Sequence, residues 1–513
     1  MMFLAAAILA GLLAVTWLGS QGAGQGQSAA PGQGGGKGTG KGTGKGAGKA
    51  AAKAQPADAG QPADAVPEES PGLARIGGKK SRASFINVLD YGAAGDGSAD
   101  DTTAIQSLVD LKASTIRFPA GTYRITRPIV IDLDKLGYTS LVADGTARIE
   151  MAGPGPAIKF LGTHGGTAAP DTARPEVWER QRMPTIEGLA IVGVHAEADG
   201  IEAAGTMQLT IRGVHIRKCR HGIHLVERNR NVLIDACHIY ENSGCGVYLD
   251  RVNLHQTNIS ASHISYCGGG GVVVRGGDVR NVHIAGCDIE ANMSAGGPPT
   301  ANVLFDCADG SVAEAAITGC TIQHTRDAPD SANIRILGSG FMNRRGERLP
   351  FQCGHVTILG NVLSDVQTNI HLKGARGVTI TGNTFWQAYA HNLLVEDSQQ
   401  VVLGANMLER NPLYGYTDEA SNKIVFQGCR DSTITGLHVH RVIGAEAGVV
   451  LDKCERMHVT GCTILDCDNA ALLVRDCANS RIAGNLLRDD RPEAKPGAKL
   501  LQVTGGSDNI IGD

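Results

Sequence analysis

The sequence predicts an all-β chain wound as a single parallel β-helix of about twelve coils, and three observations predict it. An octet of the form apolar-x-apolar-x-Gly-(Asn/Cys)-x-apolar recurs along the chain, as in "VTITGNTF" at 378–385. Each copy is followed by a short run that opens on Gly or Asn and then alternates strictly. The composition agrees: 69 Gly among 513 residues and 4% aromatics suit many short strands and turns.

The first 83 residues are different material. Residues 3–18, "FLAAAILAGLLAVTWL", have the length of a signal-peptide core and are short for a membrane span. No Lys or Arg precedes them, so residues 1–22 read as a signal peptide or a retained membrane anchor, and the protein as exported to periplasm, cell surface or medium. Residues 23–83 are Gly-, Lys-, Ala- and Pro-rich, with too little apolar content to fold, and read as a disordered linker. Nine basic and four acidic residues fall in 1–83, leaving 38 basic against 47 acidic in the remainder. A net charge near −9 lacks the basic footprint of a nucleic-acid binder.

From residue 84 onward the repeat takes over. The hinge position of the octet falls at 189, 214, 237, 262, 287, 320, 361, 383, 406, 437, 462 and 485, most often 22 to 25 residues apart. A period of this length means a solenoid in which each unit buries its apolar face against its neighbours. The order Gly-Asn is the reverse of a hairpin's Asn-Gly. Stacked coils lie about 4.8 Å apart, so amides at 361, 383, 406 and 485 are expected to hydrogen-bond along the axis. Cys takes the same position at 237, 287, 320 and 462; thirteen Cys, largely at repeat-equivalent turns, read as buried free thiols. His438 and His440 share a strand face without a third ligand, and no metal site is assigned.

Residues 85–126 carry Asp90-Tyr91-Gly92-Ala93, Gly95-Asp96-Gly97, Asp100-Asp101-Thr102, Ala104-Ile105-Gln106 and Phe118-Pro119-Ala120-Gly121-Thr122-Tyr123. This stretch resembles the entry motif of the pectate-lyase superfamily, of the rhamnogalacturonase/epimerase-like type. The resemblance implies a right-handed helix with a short N-terminal α-helical cap. Asp101 or Thr102 is expected to cap that helix, with Ile105, Leu108 and Val109 on one face. The superfamily includes lyases, hydrolases, epimerases and tailspikes, so the motif implies fold more than activity. The polygalacturonase signatures Asn-Thr-Asp, Asp-Asp and Gly-His-Gly are missing in repeat register.

The resemblance also implies that the strand after each ladder turn floors a substrate groove. Its outward positions form an inner row, from His224 and Tyr248 through Arg335 and His371. The outer row includes Asp250, Arg275, Asp306, Lys373, Glu396 and Asp452. Loops 293–301, 324–332, 338–354 and 409–421 are placed to wall it, with Tyr248, Trp386, Tyr389, Tyr414 and Tyr416 as sugar-binding aromatics. Asp250 and Asp306, two coils and about 9.6 Å apart, suit the acid and base of an inverting glycosidase, with Arg275 between them lowering both. A lyase reading stands equally. In it Arg335, Lys373 or His371 removes the proton α to a uronate carboxylate, while Asp250, Asp306 and Glu396 hold Ca²⁺ or orient sugar. The function read here is action on an acidic, pectin-like polysaccharide, by lyase or hydrolase chemistry. The alternative is a non-catalytic polysaccharide-binding or adhesin-like surface protein.

Overall fold

The computed structural model describes residues 86–338, 347, 353–413, 419–494, 497 and 499–512. The expected leader and linker, and Tyr414 and Tyr416, lie outside the described residues. The strands form three parallel ladders that follow one another around each coil. The first runs through segments such as Thr210–Arg212, Arg376–Thr381 and His458–Thr460. The second runs through His215–Arg217, His238–Tyr240 and Thr463–Leu465. The third runs through Gly155–Leu161, Ala332–Leu337 and Ala470–Arg475. Every pairing joins equivalent positions of neighbouring coils, for example Ile334 with Ile370 and Ile380 with Leu403.

Alternation decides which side chains enter the core. On the third ladder Val247, Val272, Val303, Ile334, Ile370 and Leu393 all point inward and are at most 1% exposed. They join one continuous apolar core running along the axis, each contributing about 1.5–3 kcal/mol by leaving water.

The hinge explains the reversed dipeptide. Gly382 takes φ +68°, a left-handed conformation that turns the chain from first to second ladder and favours glycine. Asn383 then points inward. Its Nδ2 donates to Asn406 Oδ1 at 2.9 Å and to the Ile358 carbonyl at 3.0 Å, and its Oδ1 accepts from Asn361 Nδ2 at 2.9 Å. Asn485 departs from the expectation. Its predecessor in the stack is Cys462, whose backbone N–H donates to Asn485 Oδ1 at 3.0 Å, so no amide pair forms.

A second amide ladder was not foreseen. Asn302, Asn333, Asn369 and Asn392 open the third-ladder segments, with Asn292 in the turn that follows the second-ladder strand Asp288–Glu290, and these amides are linked in series by hydrogen bonds of 2.7 to 2.9 Å. The Asn that opens "NVLFD", "NIRIL" and "NIHLK" was its signal. All thirteen cysteines are buried free thiols; burial pushes Cys267 up to about 11 and Cys245 up to about 12.

The helix Thr102–Asp110 buries Thr102, Ile105, Leu108 and Val109. Its cap differs from the expectation. Asp101 makes no side-chain cap bond; its carboxylate accepts from Ala94 and Gly95 N–H at 2.6 and 3.1 Å, fastening the preceding turn. Asp100 instead accepts from the Thr102 backbone N–H at 3.1 Å.

Candidate functional site

The third ladder presents both expected rows on its outer side. Glu202, His224, Tyr248, Val273, Leu304, Arg335 and His371 are consecutive partners across the inner row. Asp250, Arg275, Asp306, Leu337, Lys373 and Glu396 follow one another across the outer row. Loops 293–301 and 324–332 join the second ladder to the third and so lie at one edge of this sheet, whereas most of 338–354 and the middle of 409–421 fall outside the described residues. The charged rows are not one cluster. An apolar patch of Cys245, Tyr248, Val273, Ala301, Leu304 and Ala332, with Leu337 against it, divides them.

The N-terminal cluster centres on His224. Its Nε2 lies 3.4 Å from Asp250 Oδ2 and its Nδ1 4.0 Å from Glu202 Oε2. Lys159 pairs with Glu202 at 2.7 Å. The Tyr248 ring stacks on the His224 imidazole, and His221 lies 5.0 Å from Tyr248. His221 Nδ1 accepts from the Cys245 backbone N–H at 3.1 Å, and burial pushes this imidazole down to about 4, so it is neutral near pH 7. Burial, reinforced by Asp250, pushes the Tyr248 phenol up to about 12. His224 Nδ1 and Asp250 Oδ1 are buried without hydrogen-bond partners among the described residues. Arg275 pairs with Asp306 at 3.5 Å, whereas Asp250 lies 3.6 Å from Arg251. The expectation of one guanidinium shared by two acids therefore gives way to separate pairings. Glu202, Lys159 and His221 were missed as site members. The first two precede the stretch where charged outward residues were sought, and His221 sits in the turn before its strand.

The C-terminal cluster corrects the expected base. Arg335 is 4% exposed, because the 324–332 loop lies over it. Its Nη2 donates to the Asp330 carbonyl at 2.7 Å, and its Nε donates to His371 Nδ1 at 3.2 Å. His371 therefore carries its proton on Nε2, which donates to Glu396 Oε2 at 2.7 Å. Burial lowers the His371 pKa against the pull of Glu396. Neither Arg335 nor His371 offers a free lone pair to a substrate. Lys373 remains half exposed, 3.7 Å from Glu396.

Beside this cluster, two clefts of about 390 and 340 Å³ lie on either side of Arg326. The larger is lined by Asp330, Thr368, His391 and Leu394 among others. Burial pushes His391 down to about 4, a group the sequence reading passed over. In the smaller cleft the Arg326 guanidinium lies 4.8 Å over the Tyr389 ring, and burial raises the Asp365 carboxyl. Trp386 belongs to the bulged strand Thr384–Glu396 and lines neither cleft.

The carboxylates proposed for Ca²⁺ do not fit a shared ion. Arg275 pairs with Asp306 and Lys373 with Glu396, so cations already stand beside these acids. Among the described residues no group of three or more His, Cys, Asp or Glu is arranged for a metal. No helix of the described residues is long and apolar enough to cross a membrane.

Comparisons with known proteins agree with this architecture. Residues 85–154 match the family "Rhamnogalacturonase A/epimerase, pectate lyase-like", and residues 177–302 match "Right handed beta helix region". Residues 310–429 and 350–499 match "Periplasmic copper-binding protein (NosD)". The chain is a right-handed parallel β-helix protein whose first coils match a pectate-lyase-like family. A probable glucan endo-1,3-beta-glucosidase of Arthroderma benhamiae is 37% identical over 81 residues, 13% of this chain and 9% of that one. The chain thus spans under a tenth of that curated relative. Among solved structures, the A-module of the mannuronan C-5 epimerase AlgE6 of Azotobacter vinelandii is 14% identical with a TM-score of 0.37, covering 83% of this chain and 98% of that one. The Streptococcus pneumoniae surface protein and adhesin PfbA is 13% identical with a TM-score of 0.40, covering 82% and 100%.

Proposed function

We propose that the protein is exported and acts on an acidic, uronate-containing polysaccharide, with its chemistry at the N-terminal cluster of the third ladder. The observation that carries this reading is the register that brings Asp250, His224, Tyr248 and Arg275 onto adjacent strands of one outer sheet face. Asp250, backed by His224, is the base that takes the proton α to the uronate carboxylate. Arg275 neutralises that carboxylate, the condition for forming the carbanion. The electron pair then forms the ring double bond as the glycosidic C–O bond breaks. Tyr248, which keeps its proton well above neutral pH, protonates the departing oxygen. A hydrolase reading is weaker, because Asp306 is held by Arg275 and is not free to activate water. Binding without turnover is favoured by one feature: the Arg335–His371–Glu396 chain satisfies its own members, as a docking surface would.

The full chain incubated with uronate polysaccharides, reading ultraviolet-absorbing unsaturated products and reducing ends separately, tests this. Asp250→Asn should abolish the ultraviolet product, while Asp452→Asn, in the same row but paired with Arg475 at 3.1 Å, should not. New reducing ends without unsaturation would replace the lyase by a hydrolase. Retained binding without either product would leave the adhesin.

A further inference from the structure

A second group of unsatisfied side chains lies where the third ladder turns into the first, on the opposite edge from the two clefts. His164 is 2% exposed, and neither of its ring nitrogens has a hydrogen-bond partner among the described residues. Its backbone N–H donates to the Gly205 carbonyl at 2.9 Å, which fixes the ring beside the next coil's turn. The coil beyond it carries Arg228 and Arg230, whose charges both act on His164. Arg228 Nε and His255 Nδ1 are also buried without partners.

The register makes this arrangement costly. Arg230 pairs with His255 and His255 with Arg280, so three basic side chains stand one above another about 4.8 Å apart. Burial keeps the middle member, His255, from sharing the charge, so Arg230 and Arg280 face a neutral imidazole and no acid in this row, and buried donors without acceptors cost about 1–3 kcal/mol each. The neighbouring acids do not remove the problem. Asp278, whose charge reaches Arg228, is held by Arg280 at 2.7 Å and by Ser311 Oγ at 2.7 Å, and Glu314 acts on His255 from two coils further on. Arg230 spends Nη1 on the Thr167 and Ala169 carbonyls and Nε on Asn231 Oδ1. Orphaned donors from three coils around two guanidinium groups are the signature of a site for an anion.

We propose that His164, Arg228, Arg230 and His255 form a binding site for a tetrahedral oxyanion, a sulfate or phosphate, separate from the candidate active site. Donors arriving from several coils suit a tetrahedral ion better than a planar carboxylate, which a single guanidinium fork would take. The neutral imidazole of His164 offers one N–H, Arg228 offers its free Nε, and the ion's charge relieves the stacked cations. Free inorganic ions and ester groups on a polymer share this chemistry.

The test is thermal unfolding of the full chain with millimolar sodium sulfate, sodium phosphate, dextran sulfate or unmodified dextran, with chloride balancing ionic strength. Arg228→Met and His164→Leu serve as variants. A ligand of the native state raises Tm saturably, which a general salting effect does not. Saturable stabilisation of the wild type by inorganic sulfate or phosphate, with affinity about tenfold weaker in each variant, assigns a free ion. Stabilisation by dextran sulfate alone, lost in the variants, assigns a polymer ester. In plain chloride Arg228→Met should unfold no earlier than wild type, since it removes a repelled charge. An equal response of wild type and variants, or no response to any anion, overturns the proposal.

Discussion

The imidazole of His224 and the phenol of Tyr248 stack with centroids 5.1 Å apart and 5° between their planes. They come from consecutive coils and are direct register partners, so the solenoid's own repeat sets the contact. Tyr248→Phe keeps the stack and removes only the hydroxyl. Turnover of the uronate substrate should fall by about 10²–10⁴-fold, with KM little changed and the unfolding midpoint unmoved. An unchanged rate would remove Tyr248 as the acid.

Buried neutral histidines give stability a defined pH dependence. His164, His221 and His391 are each pushed down to about 4, principally by burial, whereas the unfolded chain takes up protons near pH 6.5. Their contribution is complete above about pH 6.5, is lost as pH falls toward about 4, and changes no further below that. A fully buried imidazole contributes at most about 3 kcal/mol this way, and the partly buried His221 and His391 less. Asp288 and Asp365, raised by burial, act in the opposite sense. Denaturant midpoints should fall between pH 7 and about 4.5, and His391→Gln should flatten that slope. A slope indifferent to the substitution would show that His391 is solvated.

The two rows of the third ladder were legible because strict alternation leaves no choice of face once Val272, Ile334 and Ile370 are assigned inward. The amide ladder at 361, 383 and 406 was legible from the period for the same reason. Pairing between charged residues was not. Arg335 occupies an outward position by alternation, yet the 324–332 loop buries it, and a repeat pattern says nothing of what an inserted loop covers. His391 and His164 escaped because each lies outside the alternating pentapeptides, in segments whose burial depends on the next coil.

The amide ladder and the thiols should respond differently to truncation. Asn383→Ala removes the acceptor for both the backbone N–H and the Nδ2 of Asn361, each at 2.9 Å, and leaves Asn406 Oδ1 without one of its two donors. Backbone Asn383 N–H still reaches Asn406, so the loss is the side-chain share, about 3 kcal/mol for several stranded buried groups. Cys287→Ala leaves a small cavity and removes weak Sγ contacts to the Ile259 and Ala285 carbonyls at 3.6 and 3.5 Å. That costs about 1 kcal/mol. Chemical denaturation of the two variants measures the difference. Equal losses would mean that the amide ladder is hydrated.

Arg335 and Lys373 separate structural from surface charge on one sheet face. The Arg335 side chain is 5% exposed and lies 2.9 Å from Asp330 Oδ1, besides its bonds to the Asp330 carbonyl and to His371. Arg335→Met keeps much of the packed stem but strands the carbonyl and the His371 Nδ1 lone pair. Asp330 itself is mostly exposed and returns to water. The expected loss is about 2–4 kcal/mol, drawn from the unmet acceptors. Lys373→Ala removes an ammonium 49% exposed and 3.7 Å from Glu396, and a pair of that kind contributes about 0–1 kcal/mol. The His371 pKa distinguishes the two further. Arg335 holds it down by charge, and burial does so more, so Arg335→Met should raise it, as followed by NMR, while Lys373→Ala should move it much less. If Arg335→Met instead left stability and the His371 titration intact and abolished turnover alone, Arg335 would belong to the chemistry and the loop above it would have to open.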